Sequence, residues 1–105
     1  MVKFIVVMKR KPGMTKEEFR RFFDEVHAPL ARRIPEVLRY VRNLPVEDPK
    51  RPAPAWDAVV EFHFADRDAL ERAWASPQGI AGTDDLANLT DPGATTWAVV
   101  EEVVG

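Results

Sequence analysis

The chain has 105 residues, of which 46% are apolar and 30% charged, with a formal net charge of −2 and no cysteine. That is enough for one domain, residues 1–105, around a single core, and the balance excludes disordered and fibrous classes. The slight negative charge argues against nucleic acid or an anionic membrane as main partner, and the lack of cysteine removes disulfide scaffolds, thiolate zinc sites and cysteine nucleophiles.

The first element is a β-rich run from Val2 to Lys9, ended by the breaker cluster Lys11-Pro12-Gly13. Its apolar stretch, Phe4 to Met8, is too short and wrongly flanked for a signal peptide, and no segment could span a bilayer. A soluble cytoplasmic protein is expected. Thr15 with Glu18 forms a capping box that opens a helix, in which Phe19, Phe22, Phe23, Val26 and Leu30 share one face. Glu17 and Arg21 have ion-pair spacing on its solvated side. Pro29 and Ile34-Pro35 close the region, so His27 is expected where the helix breaks.

Val37 to Leu44 reads as the second strand and Trp56 to Phe64 as the third, joined by the proline-rich connector PVEDPKRPAPA. The third strand alternates: Trp56, Ala58, Val60, Phe62 and Phe64 on one side, Asp57, Val59, Glu61 and His63 on the other. Asp66 caps a helix running through Trp74, and Ser76-Pro77 marks the cap and first turn of another. Thr95 to Val104 is the last strand. The order β-α-β-β-α-β predicts an α+β ferredoxin-like antiparallel sheet with helices on one face.

The first and last strands are apolar on both faces: Phe4 and Val6 oppose Ile5 and Val7, and Val99 and Val103 oppose Ala98, Val100 and Val104. Strands of that kind are buried on both sides. Helices cover one face, and a second sheet stacked on the other would cover the rest, so a homodimer is expected, with a ligand pocket between the sheets.

The stretch FRRFFDEVHAPLARRIPEVLRYVRN, Phe19 to Asn43, followed by SPQGIAGTDDLANLTDPG and WAVVEE between Ser76 and Glu102, resembles the EthD family. The resemblance covers nearly the whole chain. It implies a dimeric α+β barrel and chemistry on small hydrophobic, aromatic or polyketide molecules, of an oxidoreductase/monooxygenase-like or decarboxylase/isomerase-like kind. The matching HAP motif marks His27 as the proton-transfer residue, since an imidazole can exchange a proton near neutral pH.

His63 and Tyr40 are further catalytic candidates that could polarise a substrate oxygen, and Asn43 and Glu61 are candidate ligand-binding residues. Each has a structural alternative. His27 could neutralise free carbonyls at a helix end, Tyr40 could be a core aromatic, and the Glu61 stripe could be ion-paired to Arg39 or Arg42. Strand parity places Tyr40 and Asn43 on opposite faces. His27, His63 and Glu61 would supply the ligand set of non-haem iron oxygenases, but no local spacing enforces it, and neither metal, haem nor another cofactor is expected. The acidic third strand lacks the basic-aromatic pattern of an RNA-binding sheet, and no phosphate loop or nucleophile elbow occurs. The leading expectation is a small-molecule enzyme; a binding or carrier protein using the same cavity is the alternative.

Overall fold

In a computed structural model covering residues 1–105, the chain forms a four-stranded antiparallel sheet with helices on one face, an α+β ferredoxin-like fold. The strands are β1 (Val2–Met8), β2 (Arg39–Asn43), β3 (Ala58–Phe64) and β4 (Thr96–Val100), in the order β2-β3-β1-β4. The helices are α1 (Lys16–Phe22), α2 (Ala28–Ala31), α3 (Arg67–Ala75) and α4 (Pro77–Asp85). The last strand is shorter than its composition suggested, and Val103 and Val104 lie exposed beyond it.

Register assigns every strand residue to a face. Phe4 pairs with Phe62 and Val99, Val6 with Val60 and Trp97, and Tyr40 with Phe62, so all of these share one face. There the core lies: Met8, Val60 and Phe64 are fully covered by Phe19, Phe23, Leu70 and Leu89. The opposite face carries Ile5, Val7, Val41, Val59, Ala98 and Val100, flanked by Lys3, Glu61, His63, Arg39 and Asn43. No element of the chain packs over it.

The caps follow the sequence. Thr15 Oγ1 accepts from the Glu18 backbone N–H, and the Glu18 carboxylate accepts from the Thr15 N–H. The Asp66 carboxylate accepts from the Ala69 N–H, and Ser76 Oγ from the Gly79 N–H. Each such cap satisfies an orphan helical donor and contributes about 1 kcal/mol.

The helix does not break at His27. It runs from Lys16 to Ala31 through a π-helical turn at Phe23–His27, in which the Ala28 N–H donates to Phe23 O. The reason is Pro29. In a regular α-helix its ring would strike the carbonyl four residues back, and its missing N–H would leave that carbonyl unpaired. One wide turn accommodates both problems without ending the helix. Across this turn the buried stripe of Phe19 and Phe23 continues through His27 to Ala28 and Ala31, and Val26, expected on the apolar face, is 40% exposed.

Ion pairing also departs from expectation. Arg42 binds Asp24 at 2.7 Å and lies 4.8 Å over the Phe23 ring, so it is not paired with the β3 stripe. Arg20, not Arg21, makes the intrahelical pair, with Asp24. Asp57 accepts from the Arg10 backbone and guanidinium, both at 2.8 Å, tying the start of the first connector to the sheet.

Candidate active site

Between the helix-side face of the sheet and the helices lies a cavity of about 220 Å³. Its sheet wall is Phe4, Val6, Met8, Phe62 and Trp97, and its helix wall includes His27, Ala31, Ile34, Trp74, Gly82, Thr83 and Leu86. Trp97, 61% exposed, marks its mouth. The pocket is therefore on the helix side of the sheet, within one chain, and not where stacked sheets would enclose it.

His27 is the titratable group in this lining. It closes the π-helical turn on the buried face, where it is 4% exposed and its ring lies 5.7 Å from that of Phe23. Its Nδ1 is 2.8 Å from Asp85 Oδ2. The other carboxylate oxygen, Oδ1, accepts from Asn88 Nδ2 at 3.0 Å. Both oxygens of Asp85 are thus used as acceptors, which puts the His27 proton on Nδ1 and leaves Nε2 as a free lone pair without a protein partner. Burial pushes the His27 pKa below its ordinary value of 6.5; Asp85 pulls it up by hydrogen bond and charge, Arg42 adds a small push down, and burial dominates.

Asp85 was not singled out in the sequence, because its partner lies 58 residues away. A signal was present. Gly79, Gly82 and Asp85 recur at intervals of three in one short helix, and all three are buried. A Cβ at Gly79 would lie 2.1 Å from Ala73 O, and one at Gly82 3.3 Å from Ile34 Cδ1, so this face approaches its neighbours closely. An aspartate on such a face must have a buried partner.

The other candidates divide between the two faces. Tyr40 is on the helix side, stacked on Phe62 with ring centroids 5.0 Å apart, and its hydroxyl is buried without a partner. Burial raises its pKa to about 12. It lies behind the cavity wall, not in it. His63, Glu61 and Asn43 are on the opposite face, as strand parity requires. There Glu61 accepts from Asn43 Nδ2 at 2.9 Å and from Lys3 Nζ at 3.1 Å, and lies 3.2 Å from His63 Nε2. These partners, Asn43 first and Lys3 next, hold the Glu61 carboxyl below the usual range. Lys3 also bridges to Glu102 at 2.9 Å. The sheet separates the two histidines, so the iron ligand set is not assembled, and no three His, Asp or Glu side chains cluster closely enough to hold a metal. No helix is long and apolar enough to cross a membrane.

Comparison with known proteins agrees with this architecture. An uncharacterised 11.0 kDa protein of Rhodococcus erythropolis, encoded in the thcB-thcC intergenic region, is 29% identical over 86 residues, which cover 82% of each chain. The crystal structure of an EthD-family protein from Bacillus halodurans superposes with a TM-score of 0.84 at 25% identity, over 98% of this chain and 99% of that one. SnoaB, a cofactor-independent oxygenase from Streptomyces nogalater, shares the fold at a TM-score of 0.66 and 18% identity, over 99% and 94% of the two chains. Residues 11–93 match the EthD domain, and the chain belongs to that family.

Proposed function

We propose that this EthD-family chain is a small-molecule enzyme that moves a proton between His27 Nε2 and a compact hydrophobic or aromatic substrate held in the apolar cavity. One observation carries the reading: the only titratable side chain lining the cavity has its far nitrogen fixed by a buried carboxylate. Asp85 orients the ring, selects its tautomer and stabilises the imidazolium formed when Nε2 takes the proton. The aromatic walls would hold a flat substrate, and the mostly apolar lining would strengthen the polar contact it makes with His27.

The overall reaction is of the oxygenase-like or decarboxylase/isomerase-like kind, and proton transfer at the cavity is the step these share. The name of SnoaB, a cofactor-independent oxygenase on the same fold, is compatible with chemistry carried by side chains and substrate alone. Tyr40 would act from behind Phe62 as support for the wall. His63, Glu61 and Asn43 belong to the uncovered face, which a second copy of the chain would close into the dimeric barrel, burying Ile5, Val7, Val41 and Val59.

The test is His27→Gln, which keeps a polar side chain but cannot shuttle a proton. Turnover should fall by about 10²–10⁴-fold with substrate affinity nearly unchanged. Turnover that survives in His27→Gln would remove His27 from the chemistry. Ligand binding without turnover in the wild type, unchanged in His27→Gln, would make the protein a ligand carrier using the same cavity, the one alternative that the apolar walls also support.

A further inference from the structure

The proposed function leaves open which molecules the cavity admits, and the polarity of the His27 ring answers part of that question. Nδ1 donates to Asp85, so the neutral ring can present only an acceptor to the cavity. The lining contains no lysine, arginine or carboxylate; its other polar side chains are Thr83, on an exposed position of α4, and Trp74, whose indole N–H is buried without a partner. A buried acceptor without a donor is costly, and a buried anion without a cation is more so. The volume, about 220 Å³, lies below the range typical of drug-sized ligands.

From these features we infer that the site selects a compact, un-ionised molecule bearing a hydroxyl donor, a phenol or an enol of one or two rings, and discriminates against carboxylates and against ethers that lack an O–H. The hydroxyl proton bonds to Nε2. In the transfer step the ligand O–H breaks and Nε2–H forms, giving a ligand oxyanion beside an imidazolium whose Nδ1–H remains on Asp85. No oxidant or reductant enters this step. Burial, which disfavours the protonated ring, works in the same direction by withholding the one cation that could receive a carboxylate. The selection narrows the reaction to one that begins on a neutral substrate. Asp85 is thereby a positioning residue that sets the polarity of the site from outside it.

The inference rests on the cavity being the binding site, and one titration series separates the two claims. Binding of a naphthol, its methyl ether and the corresponding naphthoate is measured by calorimetry at mildly alkaline pH, with the wild-type protein and with Asp85→Asn. The wild type should bind the naphthol about tenfold more tightly than the ether, the ratio given by one buried hydrogen bond, and naphthoate more weakly than either. Asp85→Asn keeps the acceptor for Asn88 and offers Nδ1 an amide donor, which transfers the ring proton to Nε2. The preference for the naphthol should then collapse, a change that mere loosening of the fold would not produce. Ether and naphthoate gain because Nε2–H now donates to either, while the naphthol oxygen can accept in place of donating. Equal binding of naphthol and ether, or tight binding of naphthoate, by the wild type overturns the selection while leaving the cavity reading intact. An unchanged preference in Asp85→Asn overturns the role given to Asp85. Failure of all three probes to bind overturns both the selection and the cavity reading.

Discussion

Asp85 Oδ2 accepts from His27 Nδ1 at 2.8 Å, across 58 residues of sequence and from a helix that packs on the one carrying the histidine. The pair lies at the edge of an otherwise apolar chamber, with the carboxylate itself anchored by Asn88. This geometry keeps the imidazole in one tautomer and one orientation and leaves its other nitrogen without a protein partner. A helix-end histidine would instead contact free carbonyls, and His27 has none within hydrogen-bond reach.

Stability should depend on pH through His27. Its folded pKa lies below 6.5, so on acidification the unfolded chain takes the proton first. Nothing is lost above the unfolded value. As pH falls from 6.5 towards the folded pKa, unfolding free energy should decline by at most about 1.4 kcal/mol per pH unit. The depressed carboxyls of Asp24 and Glu61 add their losses only below their ordinary values of 3.8 and 4.5, a separate acid limb. Denaturant titrations across this range should show the first decline in the wild type and its absence in His27→Gln.

Turnover should follow the neutral form of His27. It should rise with pH through an apparent pKa below 6.5 and stay flat through the neutral range, because Tyr40, at about 12, adds no second limb. A pH–rate profile on any accepted substrate checks this.

Pro29→Ala should uncouple fold from site. Alanine restores the N–H and removes the ring that makes the wide turn necessary, and a regular helix then rotates His27 away from Asp85. Melting temperature should hold or rise, while turnover drops and the His27 pKa moves towards 6.5. Loss of turnover with an unmoved His27 titration would show that the π-helical turn does not position the ring.

Phe23→Ala should be among the most damaging core substitutions, at about 3–5 kcal/mol. Phe23 is fully buried, meets Phe19 edge-on and His27 at a tilt, and carries the Arg42 guanidinium on its face. Chemical denaturation measures the loss directly.

The uncovered sheet face should hold a second copy. Val7→Lys places a charge in its apolar centre and should convert a dimer into a monomer in light scattering, with the His27 cavity, on the other side of the sheet, still able to bind ligand. A wild-type monomer at micromolar concentration would defeat the stacked-sheet arrangement.

Much of the fold was legible because its signals are local. Period-2 alternation from Ala58 to Phe64, the caps at Thr15, Asp66 and Ser76, and the breaker at Pro12-Gly13 each act within a few residues. The site was legible only in part. His27 stood out, but Pro29 reads as a terminator, and only the packed structure shows the helix absorbing it by widening one turn. The Asp85 partnership depends on α4 meeting α2, a contact between distant segments that no local pattern encodes. For the same reason no local pattern shows that His27 and His63 part to opposite faces of one sheet.

The most direct test of the central claim is a long-range nitrogen–proton correlation spectrum of the two histidine rings, followed by pH titration, with His63→Asn to assign the signals. The account requires the His27 ring to be neutral at pH 7 with its proton on Nδ1, to titrate below 6.5, and to shift at Nε2 when a naphthol is added. A proton on Nε2, or a ring that titrates at or above 6.5, would contradict it.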